Sequence, residues 1–511
     1  MQFVRAGRLL AIAVLATLPL FPARNDAEIT PAIQSALDHI SADSMKGHVS
    51  FLASDLLQGR ATPSPGLDVA AEYIAAQFRR AGLEPGGDDG YFQSAKFVSF
   101  EPDLEGFHLE IAGAGKPLSI QAAEARIQLG APLDLTDAPA FKIAIDDPVS
   151  LAALKPEQTA GSVFLLFVPD LRRDSVRRAS FDRTMTAVRR LKPALILAAG
   201  PSADRVAGRA KLAPADEPRD GASVIAVHND EFVSLITPLA SGATNLKITA
   251  HAKASIERPL TLRNVVAVLR GSDPVLKDSY ILLTAHYDHI GIKPDGEGDR
   301  IYNGANDDAS GTASVIEIAS ALATLNPRPR RSIVFIALFG EEAGLLGSLY
   351  YAHHPLFPLV RTIADVNLEQ LGRTDSGQGP KIASASFTGF DFSDLPVIFE
   401  KAGEKTGMKV YKDAQRSDPF FSRSDNQALA DMGVPAHTVC VAFEFPDYHG
   451  VGDEWPKLDY ANMAKVDRMV ALGLVSLADA ASVPHWNATE AKASRYLKAW
   501  ERLHEGSAAA Q

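Results

Sequence analysis

A chain of 511 residues exceeds what one compact core accommodates, so at least two folded units are expected. With 46% hydrophobic and 22% charged residues, its composition is neither that of a disordered chain nor that of a polytopic membrane protein. A net charge of −11 argues against nucleic acid as the main partner, because phosphate backbones are gripped by clustered Lys and Arg.

At the N-terminus Arg5 and Arg8 precede an apolar run from Leu9 to Phe21, followed by small and polar residues near Ala23 to Ala27. This is the layout of a secretory signal over residues 1–27, with an uncleaved anchor as the alternative. The run is short for a bilayer span, which needs about 20 apolar residues. No later stretch is long and apolar enough to cross a membrane, so the body is expected to be soluble and periplasmic or secreted. Cys440 is the single cysteine and cannot form an intrachain disulfide, leaving core packing or bound metal to hold the mature protein together. That economy fits a bacterial periplasm better than a disulfide-rich secreted scaffold.

An N-terminal helical part is expected over residues 28–100. Its best helix runs from Gly66 to Leu83, with Ala71, Ile74, Ala75 and Phe78 on one face and Gly82 and Pro85 closing it. Between 101 and 260 short apolar runs such as Val163 to Val168, Ala194 to Ala199 and Val224 to Val227 alternate with charged loops, the texture of a β-rich insert. Within it Asp170 to Arg190, rich in Arg and Asp, reads as a solvated face. From 261 to 485 strand and helix alternate, the pattern of a largely parallel sheet covered on both faces. Its strands are Val265 to Leu269, Tyr280 to Ala285, Ile333 to Phe339, Ile363 to Asn367 and Thr438 to Phe443. Its helices are Ser310 to Leu325, Leu345 to His353, Leu395 to Thr406 and Gln427 to Met432, with Tyr460 to Ala481 near its end. A C-terminal helix, Glu490 to Leu503, and a small-residue tail occupy 486–511.

Ligands of open α/β sheets gather beyond the carboxyl ends of the strands, and this chain repeatedly sets polar residues there. His286, Tyr287, Asp288 and His289 follow one apolar run, Glu341 and Glu342 the next, Glu369 a third, and Asp447, Tyr448 and His449 a fourth. Asn306, Asp307, Asp308 and Ser310 precede a helix. Singly, each is an ordinary structural histidine, a solvated corner or a helix cap. Together they offer the imidazole and carboxylate ligands that zinc accepts while keeping one position open for water. Asp288 lies two residues after His286, so in extended geometry both side chains share a side and the carboxylate can hydrogen-bond the far imidazole nitrogen.

Thr284-Ala-His-Tyr-Asp-His289, Gly304-Ala-Asn-Asp-Asp-Ala-Ser-Gly311, Phe339-Gly-Glu-Glu-Ala-Gly344, Asn367-Leu-Glu-Gln-Leu-Gly372 and Tyr448-His449 resemble, in order and wording, the M28 family of zinc aminopeptidases. Phe51-Leu-Ala-Ser-Asp55 with Gly59-Arg60, together with the insert, resembles members that carry a protease-associated domain. The resemblance implies an α/β fold, a phosphorylase/hydrolase-like mostly parallel sheet with helices on both faces, plus an inserted β-rich protease-associated domain. It implies two Zn2+ ions held by His286, Asp307, Glu342, Glu369 and His449, with Asp307 bridging and Glu341 as general base. Tyr448 becomes the hydrogen-bond donor to a tetrahedral oxyanion, and the Asp307-Asp308 peptide is expected to be cis.

His289, His353 and His354 match no role and read as structural or exposed. Asn426 stands where histidine is more usual and is assigned none. Glu369 replaces the aspartate of many such enzymes, which leaves the identity and occupancy of the second metal open. The implied activity is hydrolysis of peptides from the N-terminus. The alternatives are a glutaminyl-cyclase-like enzyme with one zinc and a non-catalytic binding protein like the transferrin receptor. A carboxypeptidase would need arginines for the substrate carboxylate, for which Arg416 and Arg423 are the candidates. The insert is expected to rim or lid the cleft.

Overall fold

Apolar runs separated by charged loops in the sequence become the middle of one sheet. A computed structural model describes residues 28–505 apart from 114, 130, 146–150, 152–153, 172–174, 205–211, 217–222 and 294–295. The expected signal segment and the C-terminal tail lie outside the described residues. Tyr280–His286, Ser332–Leu338, Thr362–Leu368 and Ala436–Cys440 are parallel neighbours at the centre of the sheet. The first two are buried at every position, as strands covered on both faces must be.

Alternation along these strands divides their side chains between two layers. Ile281, Leu283, Ala285, Phe335 and Ala337 face the core shared with the helices Ser310–Ala323 and Tyr460–Asp479. Leu282, Val334, Ile336 and Leu338 face the opposite core, closed by Leu346–His353, Asn426–Asp431 and Ser494–His504. Among the described residues no helix is long and apolar enough to cross a membrane.

The sheet is mixed rather than mostly parallel. Ile256–Leu269 runs antiparallel to both Ser332–Leu338 and Phe92–Glu101, and Ser384–Phe387 runs antiparallel to Ala436–Cys440. The apolar run Val265–Leu269 is only the buried end of a strand whose first half is largely exposed. Its long partner precedes the insert, so the two strands form a ribbon and no helical crossover forces them parallel.

That ribbon sets Glu101 opposite Ile256, so the excursion begins and ends at one place, and within it Leu212–Pro214 comes back to pair with Phe97–Ser99 at the sheet's edge. Between them eight strands form a second sheet with apolar cores of its own, Leu165, Leu197 and Ile225 on one face and Phe164, Ile196 and Val224 on the other. Within Asp170–Arg190, read from sequence as a solvated face, the helix Ser175–Arg190 buries Phe181, Met185 and Val188 and exposes Arg177, Arg183 and Arg190. The apolar positions recur at helical spacing beneath the charge.

The N-terminal helix Pro65–Arg80 buries Ala71, Ile74, Ala75 and Phe78, with the Ser64 hydroxyl accepting the Leu67 N–H at 3.1 Å as its cap. Just before it, Arg60 ties this segment to the loops that follow Tyr280–His286. Its guanidinium is fully buried and donates to the carbonyls of Tyr287 (2.8 Å), Asn303 (2.8 Å), Gly304 (3.0 Å) and Leu52. Burial lowers its pKa to about 10, against the pull of Asp288 and Asp453, so it remains a cation at neutral pH. Gly59 is required beside it, because at φ +67° a Cβ would stand 2.4 Å from the Tyr302 carbonyl oxygen.

An Arg60→Met variant leaves four carbonyls without their donor. At about 1–3 kcal/mol for each buried group left unsatisfied, it should lose about 3 kcal/mol or more of stability in urea unfolding. A midpoint equal to that of the unsubstituted protein would show that other donors replace the guanidinium.

Candidate metal centre

The parallel register brings four carboxyl ends to one edge. His286 stands opposite Leu338, Thr284 beside Asn367, and Leu368 beside Val439, so the residues that follow these strands share one space. Beneath them a buried polar network locks the register. Thr284 Oγ1 lies 3.0 Å from the carboxyl of Asp365 and 3.0 Å from the amide oxygen of Asn367. The Asn367 amide donates to Ser424 and Thr438, and Thr438 donates to Asn426. Asn426 thus has a structural task.

Asp307 occupies the middle of the site. One carboxylate oxygen is 3.2 Å from His286 Nε2 and the other 3.2 Å from His449 Nε2. Glu369 joins His286 and Asp307 in a set whose ligand atoms all lie within 4.8 Å of one another, so its extra methylene still delivers the carboxylate. On the other side Glu342 Oε1 is 3.2 Å from His449 Nε2 and 2.9 Å from His289 Nδ1. His286, Asp307, Glu342, Glu369 and His449 therefore converge. His289, expected to be structural or exposed, is buried inside the same cluster, whereas His353 and His354 are exposed.

The loop carrying Asp307 is held by its neighbours. The Asp307-Asp308 peptide is cis. The Asp453 carboxylate accepts the N–H groups of Asn306 (3.0 Å) and Asp307 (3.1 Å), and the Asn306 side chain accepts those of Gly372 (2.7 Å) and Arg373 (2.9 Å). Asp308 takes the Gly311 N–H at 3.0 Å and the Gln370 N–H at 3.1 Å. Of the paired aspartates, then, Asp308 supports the helix start and Asp307 faces the imidazoles. Asp453 was missed in the sequence; its only signal is an acid shortly after His449 among glycines.

Asp288 does more than orient an imidazole. His286 Nδ1 lies 3.2 Å from the Asp288 backbone carbonyl and 3.5 Å from its carboxylate. That carboxylate accepts the Glu341 N–H at 3.0 Å and the Thr62 hydroxyl at 3.1 Å, tying the histidine loop to the glutamate turn. Asp447 is an anchor, paired with Arg373 at 2.7 Å and Lys457 at 3.0 Å, and it fixes the loop in which Tyr448 stacks on His449 with ring centroids 4.1 Å apart. His449 itself has a left-handed backbone, φ +53°.

Charge crowding shapes the titration of the cluster. Burial opposes ionisation of both Asp307 and Glu342, and the Asp307 charge also opposes that of Glu342, yet the imidazoles of His286, His449 and His289 hold Asp307 below the usual range and those of His289 and His449 hold Glu342 at about 2. Burial and the Asp307 charge raise Glu369 to about 7, and burial with the charges of Glu342 and Glu369 pushes Glu341 well up. His449 rises to about 10 because Asp307 and Glu342 overcome its burial. A buried group of carboxylates this dense needs positive charge. Buried atoms without a hydrogen-bond partner, among them His286 Nε2, Glu342 Oε1 and both ring nitrogens of His289, belong to it. Imidazole and carboxylate donors of this kind fit divalent zinc.

Two cavities meet at the cluster. One is lined by Glu341, Glu369, Gln370, Phe420, Phe443 and Tyr448, the other by Ala61, Thr62, Ile290, Glu342, Ala343 and His289. Among the described residues none from 101–260 lines either cavity. Arg416 is paired with Glu444 at 2.5 Å, while Arg423 lies over the Phe420 ring and lines the first cavity.

The model of peptidase family M28 matches residues 264–473. A probable zinc metalloprotease of Pyrenophora teres f. teres is 40% identical over 123 residues, 24% of this chain and 25% of the relative. Another from Leptosphaeria maculans is 43% identical over 145 residues, 28% of this chain and 32% of the relative. The chain thus spans about a quarter to a third of the length of these relatives. Among solved structures, an aminopeptidase from Aneurinibacillus sp. strain AM-1 aligns with a TM-score of 0.57 at 18% identity, covering 86% of this chain and 95% of that one. The zinc aminopeptidase BSAP from Bacillus subtilis aligns at 0.51 and 18%, covering 90% and 98%. At such identity these likenesses speak for the fold. The segment that supplies every member of the acid and imidazole cluster, residues 264–473, belongs to peptidase family M28.

Proposed function

We propose that this protein is an exported di-zinc aminopeptidase that hydrolyses peptides from their N-terminus. The observation that carries the reading is Asp307, with one carboxylate oxygen toward His286 and the other toward His449. An acid so placed could serve two cations, which His286 and Glu369 would help hold on one side and Glu342 and His449 on the other. Two ligand sets sharing one aspartate favour hydrolysis over the single-zinc cyclase alternative, and the intact set argues against a decayed binding protein. The relatives named as zinc metalloproteases support zinc as the metal. Zinc bound here supplies Lewis acidity to the scissile carbonyl and acidifies the attacking water.

The protein's own groups divide the remaining work. Glu341, pushed toward proton retention by burial and neighbouring acids, takes the proton from the water and delivers it to the leaving amine. Its backbone is fixed by Asp288, which sets the direction of the carboxylate. Tyr448, its phenol raised above the ordinary range by burial and the nearby acids, stays protonated and donates to the oxyanion. The cavity lined by Phe420, Phe443 and Tyr448 takes the N-terminal side chain. The apolar run at Leu9–Phe21 supports export to the periplasm, and the separate sheet within 101–260 supports a protease-associated domain.

Glu341→Gln should keep the metal content of the parent protein by elemental analysis while kcat on an aminoacyl p-nitroanilide falls by about 10²–10⁴-fold. Undiminished turnover would reassign the base. Dialysis against EDTA should abolish turnover and lower Tm, with zinc restoring both, since a ligand at about 100 times its Kd stabilises the folded state by about 2.7 kcal/mol. A Tm indifferent to EDTA and zinc would remove the metal from the reading.

A further inference from the structure

Buried histidines outside the cluster are satisfied. His437 lies 2.6 Å from the Ser393 hydroxyl through one ring nitrogen and 2.8 Å from the Thr388 carbonyl through the other, and His48 lies 2.9 Å from the Tyr73 hydroxyl. His289 differs. Its side chain is fully buried, yet neither ring nitrogen has a hydrogen-bond partner. Nδ1 lies 2.9 Å from Glu342 Oε1, close enough for a hydrogen bond but not directed as one. His286 Nε2, 3.2 Å from Asp307 and equally unpartnered, behaves in the same way, and it is a ligand atom in the reading above. Donor atoms that crowd together without bonding one another aim at a common point.

The backbone is shaped to admit this ring. Gly304 takes φ +58°, and a Cβ there would stand 2.4 Å from His289 Cγ. The His289 N–H is held by the Arg60 carbonyl at 3.2 Å, so the fully buried arginine that ties the N-terminal segment also fixes the histidine backbone. His289, Asp307 and Glu342 present ligand atoms that all lie within 4.8 Å of one another.

We infer that His289 is an additional metal ligand, binding through Nδ1 on the Glu342 side of the pair. Buried His289, Asp307 and Glu342 form the inner part of that site and the more exposed His449 closes it from outside. The inference rests on the di-zinc reading. It gives this side of the pair a second imidazole, fully buried, beside the more exposed His449.

The test uses the full chain with zinc or Co2+ alone as probe. Zinc titrated against a chelating dye should resolve two sites in the parent protein. In His289→Ala one affinity should fall at least tenfold, the other should stay unchanged, and the Co2+ absorption spectrum should shift. The metal-free Tm should fall less than the zinc-loaded Tm, because without metal the ring loses only its Glu342 contact and its packing, so the rise in Tm on adding zinc shrinks. His289→Asn, whose amide oxygen stands near the Nδ1 position, should recover part of the lost affinity and also carries the test if the alanine variant fails to fold. Two unaltered affinities with an unaltered Co2+ spectrum overturn the inference, as does a metal-free Tm that falls as far as the zinc-loaded one. A parent protein that takes up no zinc at all sinks the di-zinc reading itself.

Discussion

Everything at the strand ends is organised around the problem of keeping the Asp307 carboxylate ionised inside the protein. A buried carboxylate is unfavourable unless positive charge and hydrogen bonds surround it. Here two imidazoles stand 3.2 Å from its two oxygens, and Asp453 takes the N–H groups of residues 306 and 307 that position it. The price of this arrangement is spread through the neighbourhood: Asp308, Glu341, Glu369 and Asp453 are all raised by burial, with Asp307 adding to the shift of Asp308, Glu369 and Asp453. A divalent cation relieves all of these at once, which is why the cluster makes chemical sense as a metal centre and poor sense as a structural ion-pair network.

The scaffold holds the cluster with unusual backbone conformations as well as with strands. Arg60, Leu345, Gln370 and His449 have positive φ, and each lies beside or within a loop that carries a cluster residue. Non-glycine residues persist in that region only where surroundings over-determine them. At Gln370 the surroundings include the Asp308 carboxylate on its N–H, and near His449 the double anchor of Asp447 on Arg373 and Lys457. Local strain and the buried network under Asn367 together define where the ligands point.

Much of this was legible because the chemistry sits where apolar runs stop. His286, Glu342 and Glu369 each follow a strand that the sequence marks by continuous hydrophobicity, and parallel register does the rest. The less legible features depend on partners distant in sequence. The antiparallel ribbon escaped because only one end of Ile256–Leu269 is buried, so hydrophobicity marked a third of a longer strand. His289 escaped because alternation sets 286 and 288 on one side of an extended chain, whereas the strand ends at His286 and the backbone then turns, bringing 289 back toward Glu342. Asp453 acts through backbone N–H groups some 150 residues earlier, an interaction that no local pattern encodes.

The division of the cleft between segments follows from the same geometry. Ala61 and Thr62, next to Arg60, wall one cavity, and residues 369 to 449 wall most of the other. The large excursion between Glu101 and Ile256 lies between these segments in sequence but contributes no described residue to either wall. It has apolar cores of its own and meets the first sheet where Leu212–Pro214 pairs with Phe92–Glu101, whereas the short N-terminal segment is locked to the centre by one buried guanidinium that donates to the carbonyls of Tyr287, Asn303 and Gly304. Among the described residues the insert joins the first sheet at the Phe92–Glu101 and Ile256–Leu269 ribbon. Through Asn264, whose amide accepts the Phe339 N–H at 3.2 Å, that ribbon is one hydrogen bond from the turn carrying Glu341.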